Sequence, residues 1–542
     1  MDFYAFYTGQ EFEAYTYLGA HRQEKGVVFR AFAPNASGIS VTGDFNQWQE
    51  TASVVYGLSD YPFTDQSYVR RRQGTEHRPL NIYEVHAGSW RKPEKGEERF
   101  YNYRELAALL IPYLTENHYN FVELMPLHEY PCDESWGYQA TGFFSPTSRY
   151  GAPDDLRYLI DRCHAENIGV ILDFVPVHFA LNDYALLKYD GTAIYEYPHS
   201  DVGFSEWGSC NFMHSRGEVR SFLQSSAYYW LKEFHFDGLR VDAVSNLIYW
   251  QGKEERGENQ PAIQFLKTMN AGLKKRCPNA LLIAEDSSAY PGVTAPVNEG
   301  GLGFDYKWDL GWMNDTLSYM QAPPQERKTQ CGKLTFSMMY FHKERYLLPL
   351  SHDEAVHGKA SIVQKMNGDI CEEKFAQARL LYMYMFAHPG KKLNFMGNEL
   401  AMFREWDEKR PLDWGLLAYS QHEKFHDFMR GLNDLYAKYP AFYEKDYEPD
   451  GFAWLECQNS SAVCAFLRKA KNQEILTVLN FDAVDLNNYS LHLPGSRNAV
   501  LLLDSSSERW GGDHAEENSV VLKNGSLEIS IRHFSGQYFL LR

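Results

Sequence analysis

Strand-like and helix-like stretches alternate from Asn81 to about Asp434, and this alternation limits the fold more than any other feature of the chain. Candidate strands are Ile82–His86, Phe121–Met125, Val170–Phe174, Gly238–Asp242, Leu281–Ala284, Phe304–Lys307, Leu347–Pro349 and Leu393–Phe395. Helical patterns separate them at Tyr103–Asn117, Pro153–Asn167, Glu218–Phe234, Pro261–Arg276, Leu310–Met320 and Cys371–Ala387. Asp154 and Asp155 suit a helix N-terminus, where the backbone dipole favours negative charge. Eight strands with helical crossovers over about 350 residues predict an α/β fold, a (β/α)₈ barrel with long loops. The other topology open to such a pattern is a doubly wound open sheet. No GxGxxG or GxxxxGK[ST] follows any of the strands, which argues against a nucleotide-binding version.

The regions on either side read differently. Before the barrel, GVVFRAFAPNASGISVTGDFNQWQ predicts two short strands, Val27–Ala33 and Gly38–Gly43, around a Pro-Asn turn. After Trp48 the chain passes directly to TASVVYGLSDYPFTD, a linker-like stretch. Residues 1–50 are therefore expected to begin a β-sandwich, 51–80 to connect it onward, and 81–438 to form the barrel. Two strands alone are marginal, so the first part must lean on the next domain. After Tyr439-Pro440, the stretches SAVCAFLRKA, EILTVLNFD, YSLHLPG and GQYFLLR predict an all-β C-terminal domain, 439–542. Within the barrel, Ala180 to Phe212 is aromatic, Gly-containing and loop-like, suited to walling a cleft.

Composition excludes several function classes. Net charge is −18 in 542 residues, which argues against a nucleic-acid partner. The start MDFYAFYTGQEFEAY has neither a basic n-region nor an apolar h-region, and no apolar run approaches the roughly 20 residues of a membrane span. The eight cysteines are scattered without a CxxC pair, as expected of free thiols in the cytoplasm and not of a disulfide frame or a zinc site. No metal and no cofactor are expected, and no membrane partner.

Chemistry concentrates at strand ends. ILDFVPVHF carries Asp173 and His178, GLRVDAVSN carries Arg240 and Asp242, LIAEDSS carries Glu285, and LLPLSHDE carries His352 and Asp353. Arg240 and Asp242 are two apart, so they face the same way, and a buried Arg keeps a neighbouring carboxylate ionised. One such pair reads equally well as a structural salt bridge. Four acid-bearing strand ends at one barrel mouth crowd like charges, which structure alone does not favour and catalysis does. Two acids suffice for glycosidic chemistry, one as nucleophile and one as acid then base.

These four segments match, in order and spacing, the signature segments of the α-amylase superfamily, glycoside hydrolase family 13. IYEVHAGSW (82–90), ELMPLHEYPCDESWGYQATGFFSPTSRYGAPDDLR (123–157) and KLNFMGNELAMFREWDEKRPLDW (392–414) further resemble one branch of it, the 1,4-α-glucan branching enzymes. FRAFAPNA and ISVTGDFNQW resemble the opening of a family 48 carbohydrate-binding module, and since that module continues for several more strands, the resemblance implies a truncated β-sandwich over 1–50 followed by a linker over 51–80. The resemblance implies roles residue by residue. Asp242 matches the nucleophile, Glu285 the acid/base, and Asp353 the third acid, which holds sugar hydroxyls. His178 and His352 match histidines that donate to those hydroxyls, Arg240 the residue that holds the nucleophile ionised, Asp173 the acid that orders the site, and Tyr138 the aromatic under the sugar ring. It implies retaining cleavage of α-1,4-glucan and transfer of the cut chain to a 6-hydroxyl, forming α-1,6 branches in glycogen, by a monomeric cytoplasmic enzyme. An α-amylase-type hydrolase shares the same four segments, and a non-catalytic glucan binder would be expected to have lost one of the three acids.

Overall fold

The computed structural model describes residues 1–37, 58, 60–72, 74–93, 99–457, 462–493, 498–515, 520–522 and 525–542. Eight parallel strands close into a barrel: β1 (Asn81–Val85), β2 (Phe121–Leu124), β3 (Gly169–Phe174), β4 (Gly238–Val241), β5 (Leu281–Ala284), β6 (Tyr306–Trp308), β7 (Tyr346–Leu350) and β8 (Lys391–Phe395). They follow one another around the ring in chain order. Strands β1, β3, β4, β5, β7 and β8 are buried at nearly every position, as expected of parallel strands covered on both faces. The short sixth strand is present as three residues.

The crossover helices are α1 (Tyr103–Glu116), α2 (Pro153–Ala165), α3 (Gly217–Glu233), α4 (Gln260–Arg276), α5 (Leu310–Gln321) and α6 (Cys371–Ala387), with α7 (Ser420–Lys438) after the last strand. Their starts are chemically marked. Pro153 opens α2, where its missing N–H costs nothing, and Asp155 accepts from the Ala152 N–H at 3.1 Å. Asn259 caps α4 through the Ala262 N–H, and Asp309 caps α5 through the Trp312 N–H at 2.8 Å.

Two compact units divide the chain. The first is Met1–Arg72, Pro93–Ile111 and Glu123–Asp305; the second is Gln73–Lys92, Pro112–Val122 and Tyr306–Arg542. In the first, the N-terminal strand is Gly26–Arg30, shorter than the predicted Val27–Ala33, and it pairs antiparallel with Gly19–Gln23. That partner reads Gly-Ala-His-Arg-Gln and carries no apolar alternation, so the sequence pattern did not reveal it. The predicted strand Gly38–Gly43 lies outside the described residues. The segment expected as a linker contains a helix, Gln66–Arg71.

In the second unit a six-stranded sheet runs in the order Phe452–Cys457, Val463–Ala470, Gln473–Asn480, Ser535–Leu541, Asn498–Asp504 and Val520–Val521. Leu486–His492 pairs separately with Ser526–Ile531. The sheet packs on α6, whose second half, from Leu380 to Ala387, is apolar and buried on every face. Leu380, Met383 and Tyr384 join Phe466, Ile475, Leu479 and Tyr538 in one core, and each large apolar side chain so buried contributes about 1.5–3 kcal/mol.

Candidate active site

In the first unit the site grows from β3, β4 and β5. Register places Arg240 on β4 directly beside Asp173 on β3. The Arg240 guanidinium is buried and donates from Nη1 to both Asp173 oxygens, at 2.8 and 2.9 Å, and to Asp242 Oδ1 at 2.7 Å. Its Nη2 lies 3.9 Å from Glu285 Oε2. Burial alone would lower the Arg240 pKa, but Asp173, Tyr138, Asp242 and Glu285 outweigh it and hold the guanidinium charged. Tyr138 donates its hydroxyl to Asp173 Oδ2.

The strand itself stops at Val241, one residue short of the predicted Gly238–Asp242, because the next residues turn sharply. Ala243 takes φ 47°, ψ 47°, a left-handed conformation that costs a residue with a Cβ about 1–3 kcal/mol. The turn is fastened to β5: the Ala243 N–H donates to Glu285 Oε2 at 2.6 Å, and the Val244 N–H donates to the Glu285 carbonyl at 2.8 Å. The strain therefore fixes Asp242 and Glu285 in one rigid frame. Both side chains keep a little exposure, 14% for Asp242 and 17% for Glu285.

Tyr138 is placed by a tight turn. Trp136 sits at φ 56° and Gly137 at φ 95°. A Cβ on Gly137 would stand 2.4 Å from the Pro126 carbonyl oxygen, so only glycine fits. His178 follows β3 and pairs with Asn211 across a short ladder that pins the two ends of the Ala180–Phe212 loop. Burial lowers the His178 pKa to about 4, which leaves the imidazole neutral. The Trp207 ring lies 5.3 Å from the His178 ring and is 46% exposed. Gln139, next to Tyr138, donates to the Trp207 carbonyl at 3.0 Å.

In the second unit His352 follows β7 and is held by Glu84 of β1. Glu84 accepts from the His352 backbone N–H at 2.9 Å and from Nδ1 at 2.5 Å. A carboxylate only accepts here, so the Nδ1 proton is fixed and the ring orientation with it. His352 Nε2 lies 3.4 Å from Asp353 Oδ1, and Asp353 is 52% exposed. Two of the branching-type stretches also meet in this unit. Trp406 donates to Ser89 Oγ at 2.8 Å, Leu412 N–H to the Ser89 carbonyl at 3.2 Å, and Trp414 to the Trp90 carbonyl at 2.8 Å.

Tyr138, Asp173, Arg240, Asp242 and Glu285 thus form one bonded cluster, with His178 beside Trp207 in the same unit and His352 beside Asp353 in the other. Sequence reasoning missed Glu84, Trp207 and the Ser89–Trp406 contact. Glu84 carried a signal, an acid inside an otherwise buried strand, Asn-Ile-Tyr-Glu-Val. Trp207 carried only its membership of an aromatic loop.

The alpha amylase catalytic domain family matches residues 108–185 and 206–477. Carbohydrate-binding module 48, the isoamylase N-terminal domain, matches 17–61, and the alpha amylase C-terminal all-beta domain matches 454–541. The 1,4-alpha-glucan branching enzyme GlgB of Fusobacterium nucleatum is 42% identical, over 95% of this chain and 93% of that protein. The enzyme of the same name from Oceanobacillus iheyensis is 42% identical over 94% and 92%. An alpha-amylase from Geobacillus thermoleovorans, solved with acarbose, shares the fold at 17% identity and a TM-score of 0.66, over 87% of this chain and 99% of that one. By the catalytic-domain match and the identity shared along nearly its whole length, the chain belongs to the alpha amylase family and, within it, to the 1,4-alpha-glucan branching enzymes.

Proposed function

We propose that this chain cuts α-1,4-glucan and rejoins the cut piece through an α-1,6 bond, with Asp242 as nucleophile and Glu285 as acid and base. The observation that carries the reading is the 42% identity to a 1,4-alpha-glucan branching enzyme over 95% of the chain. The geometry supports the roles. A guanidinium at 2.7 Å favours the ionised Asp242, ready to attack the anomeric carbon. Glu285, tied to the same turn, gives its proton to the departing 4-oxygen. The product is a covalent glycosyl ester on Asp242 and a free 4-hydroxyl. Glu285, now a base, takes the proton from an acceptor 6-hydroxyl, whose oxygen attacks the same carbon and releases Asp242. Two displacements restore the α configuration.

The remaining residues position. Asp173 and Arg240 hold the nucleophile, Tyr138 lies under the sugar ring, His178 and His352 donate to sugar hydroxyls, and Asp353 stabilises the distorted ring. The glucan is glycogen in the cytoplasm, and the enzyme acts as a monomer with a truncated module over 1–50, a linker over 51–80, the barrel over 81–438 and a supporting domain over 439–542. Transfer defeats hydrolysis by orientation: a well-placed hydroxyl reaches an effective concentration of roughly 10⁵ M or more, against water at about 55 M.

Treating amylose with the enzyme, then with an α-1,6-specific debranching enzyme, tests the proposal. Short chains released only after debranching, with reducing ends scarcely raised before it, are expected. A product unchanged by debranching, with reducing ends already raised, would replace transfer by hydrolysis.

A further inference from the structure

In the C-terminal sheet, Cys457 and Cys464 stand directly opposite each other on the antiparallel strands Phe452–Cys457 and Val463–Ala470. Their sulfur atoms are 2.8 Å apart. Opposed residues of an antiparallel pair have Cβ atoms about 4.5–5.5 Å apart, and a disulfide needs about 3.5–4.5 Å, so closure asks for a small approach only. Cys464 is buried and Cys457 is half-buried, packed against the same core. Cys331 touches Cys457 from a different part of the unit, so three thiols gather at this spot. None of the three belongs to the catalytic cluster.

We propose that Cys457 and Cys464 are a reversible dithiol–disulfide site, closed by a peroxide-class oxidant and reopened by a thiol reductant. The Cys457 sulfur attacks one peroxide oxygen, breaking the O–O bond and giving a sulfenic acid and water. The Cys464 sulfur then attacks the oxidised sulfur, forming the S–S bond and releasing a second water. Two thiols have lost two hydrogens and two electrons, and the peroxide has taken them. The choice of Cys464 over Cys331 as resolving thiol follows from register, because β-pairing holds Cys464 in place while Cys331 sits on the turn before a four-residue helix. Cys331 draws the Cys457 pKa down, but Cys464 and burial push it up by more, so Cys457 rests as a thiol with little thiolate. The thiolate is the attacking form toward peroxide and toward a disulfide alike, so closure should be slow with either and should quicken as pH rises.

The test treats the full-length enzyme with hydrogen peroxide, blocks remaining thiols with iodoacetamide under denaturing conditions, and maps peptides without reduction. A Cys457–Cys464 cross-link lighter by two hydrogens is expected, with Cys331 alkylated and the link lost after dithiothreitol. In Cys457→Ser, where only the half-buried member changes, the link should be absent and Cys464 alkylated. Full alkylation of Cys457 and Cys464 after peroxide would overturn the proposal, and so would a Cys331–Cys457 link in place of the expected one.

Discussion

Strands β3 and β4 carry a buried charge cluster at each end, and the two clusters differ in a way that separates chemistry from architecture. At the far end, before β4, Asp237 accepts from the Val170 N–H at 2.7 Å and from His164 Nε2 at 2.9 Å, and its other oxygen forms an ion pair with Arg72 Nε at 2.7 Å. His164 Nδ1 and His235 Nδ1 both reach Asp65 Oδ2 at 2.8 Å. A carboxylate oxygen accepts, so both His164 nitrogens must carry protons: the ring is an imidazolium. Two carboxylates are then balanced by Arg72 and His164, and Asp65 and Asp237 are sealed from water. At the catalytic end of the same strands, one guanidinium faces three carboxylates, and two of these stay partly open. Excess negative charge and residual exposure are useless to a floor and suit the roles proposed for Asp242 and Glu285 as nucleophile and proton donor. The C-terminal ends of barrel strands serve chemistry and the N-terminal ends serve stability, and here one strand shows both.

The sharpest break of this comparison is at the catalytic end. Asp242→Asn should lower kcat by about 10⁴-fold or more, because the amide keeps the volume and loses the nucleophile. Thermal unfolding should barely move. A variant with a near wild-type branching rate would remove Asp242 from the mechanism.

The floor should fail the opposite way. Asp237→Asn leaves Arg72 without its carboxylate and the imidazolium with Asp65 alone, and should cost about 3–5 kcal/mol of stability, with the rate per folded molecule unchanged. The pH dependence follows from the same bonds. Burial would lower the His164 pKa, but Asp237 and then Asp65 hold it above its ordinary value. Its contribution is complete below about pH 6.5 and is lost as pH rises through the raised value. Asp65 and Asp237 are depressed despite burial, so their contribution is complete above about pH 4 and lost as pH falls. Urea midpoints measured across neutral to alkaline pH should fall with pH in the wild type, and the fall should begin at lower pH in Asp237→Asn. A flat wild-type profile would mean that His164 is not the charged partner.

How much of this contrast was readable beforehand depends on what each cluster asks of the sequence. Arg240 and Asp242 sit two apart on one strand, so their common face follows from strand geometry alone. The eight strands were legible because parallel strands are near-continuous apolar runs bounded by turns. The floor was not legible: its members, Asp65, Arg72, His164 and Asp237, come from four separate places, and two of them flank a helix in a stretch that reads as a linker. Glu84 was hidden in the same manner, since its partner His352 lies 268 residues away. Strain at Ala243 leaves no compositional trace at all, because Ala is not a turn residue.

A smaller effect sharpens the catalytic side. Trp207→Ala should raise KM for amylose by about 10-fold, equal to about 1.4 kcal/mol, with kcat nearly unchanged, because the exposed ring beside His178 offers a face for a sugar. Trp207→Phe should recover most of the loss. An unchanged KM in the alanine variant would leave the loop a wall without a contact.

The most direct test of the division between the two ends is to trap the glycosyl enzyme. Glu285→Gln, given an α-glucosyl fluoride, should form the intermediate without acid help, because fluoride departs unprotonated, and should then stall for lack of a base. Peptide mapping of the quenched variant is predicted to find one glycosyl unit on Asp242. An adduct on any other carboxylate, or turnover of the fluoride as slow as that of amylose with no adduct at all, would contradict the account.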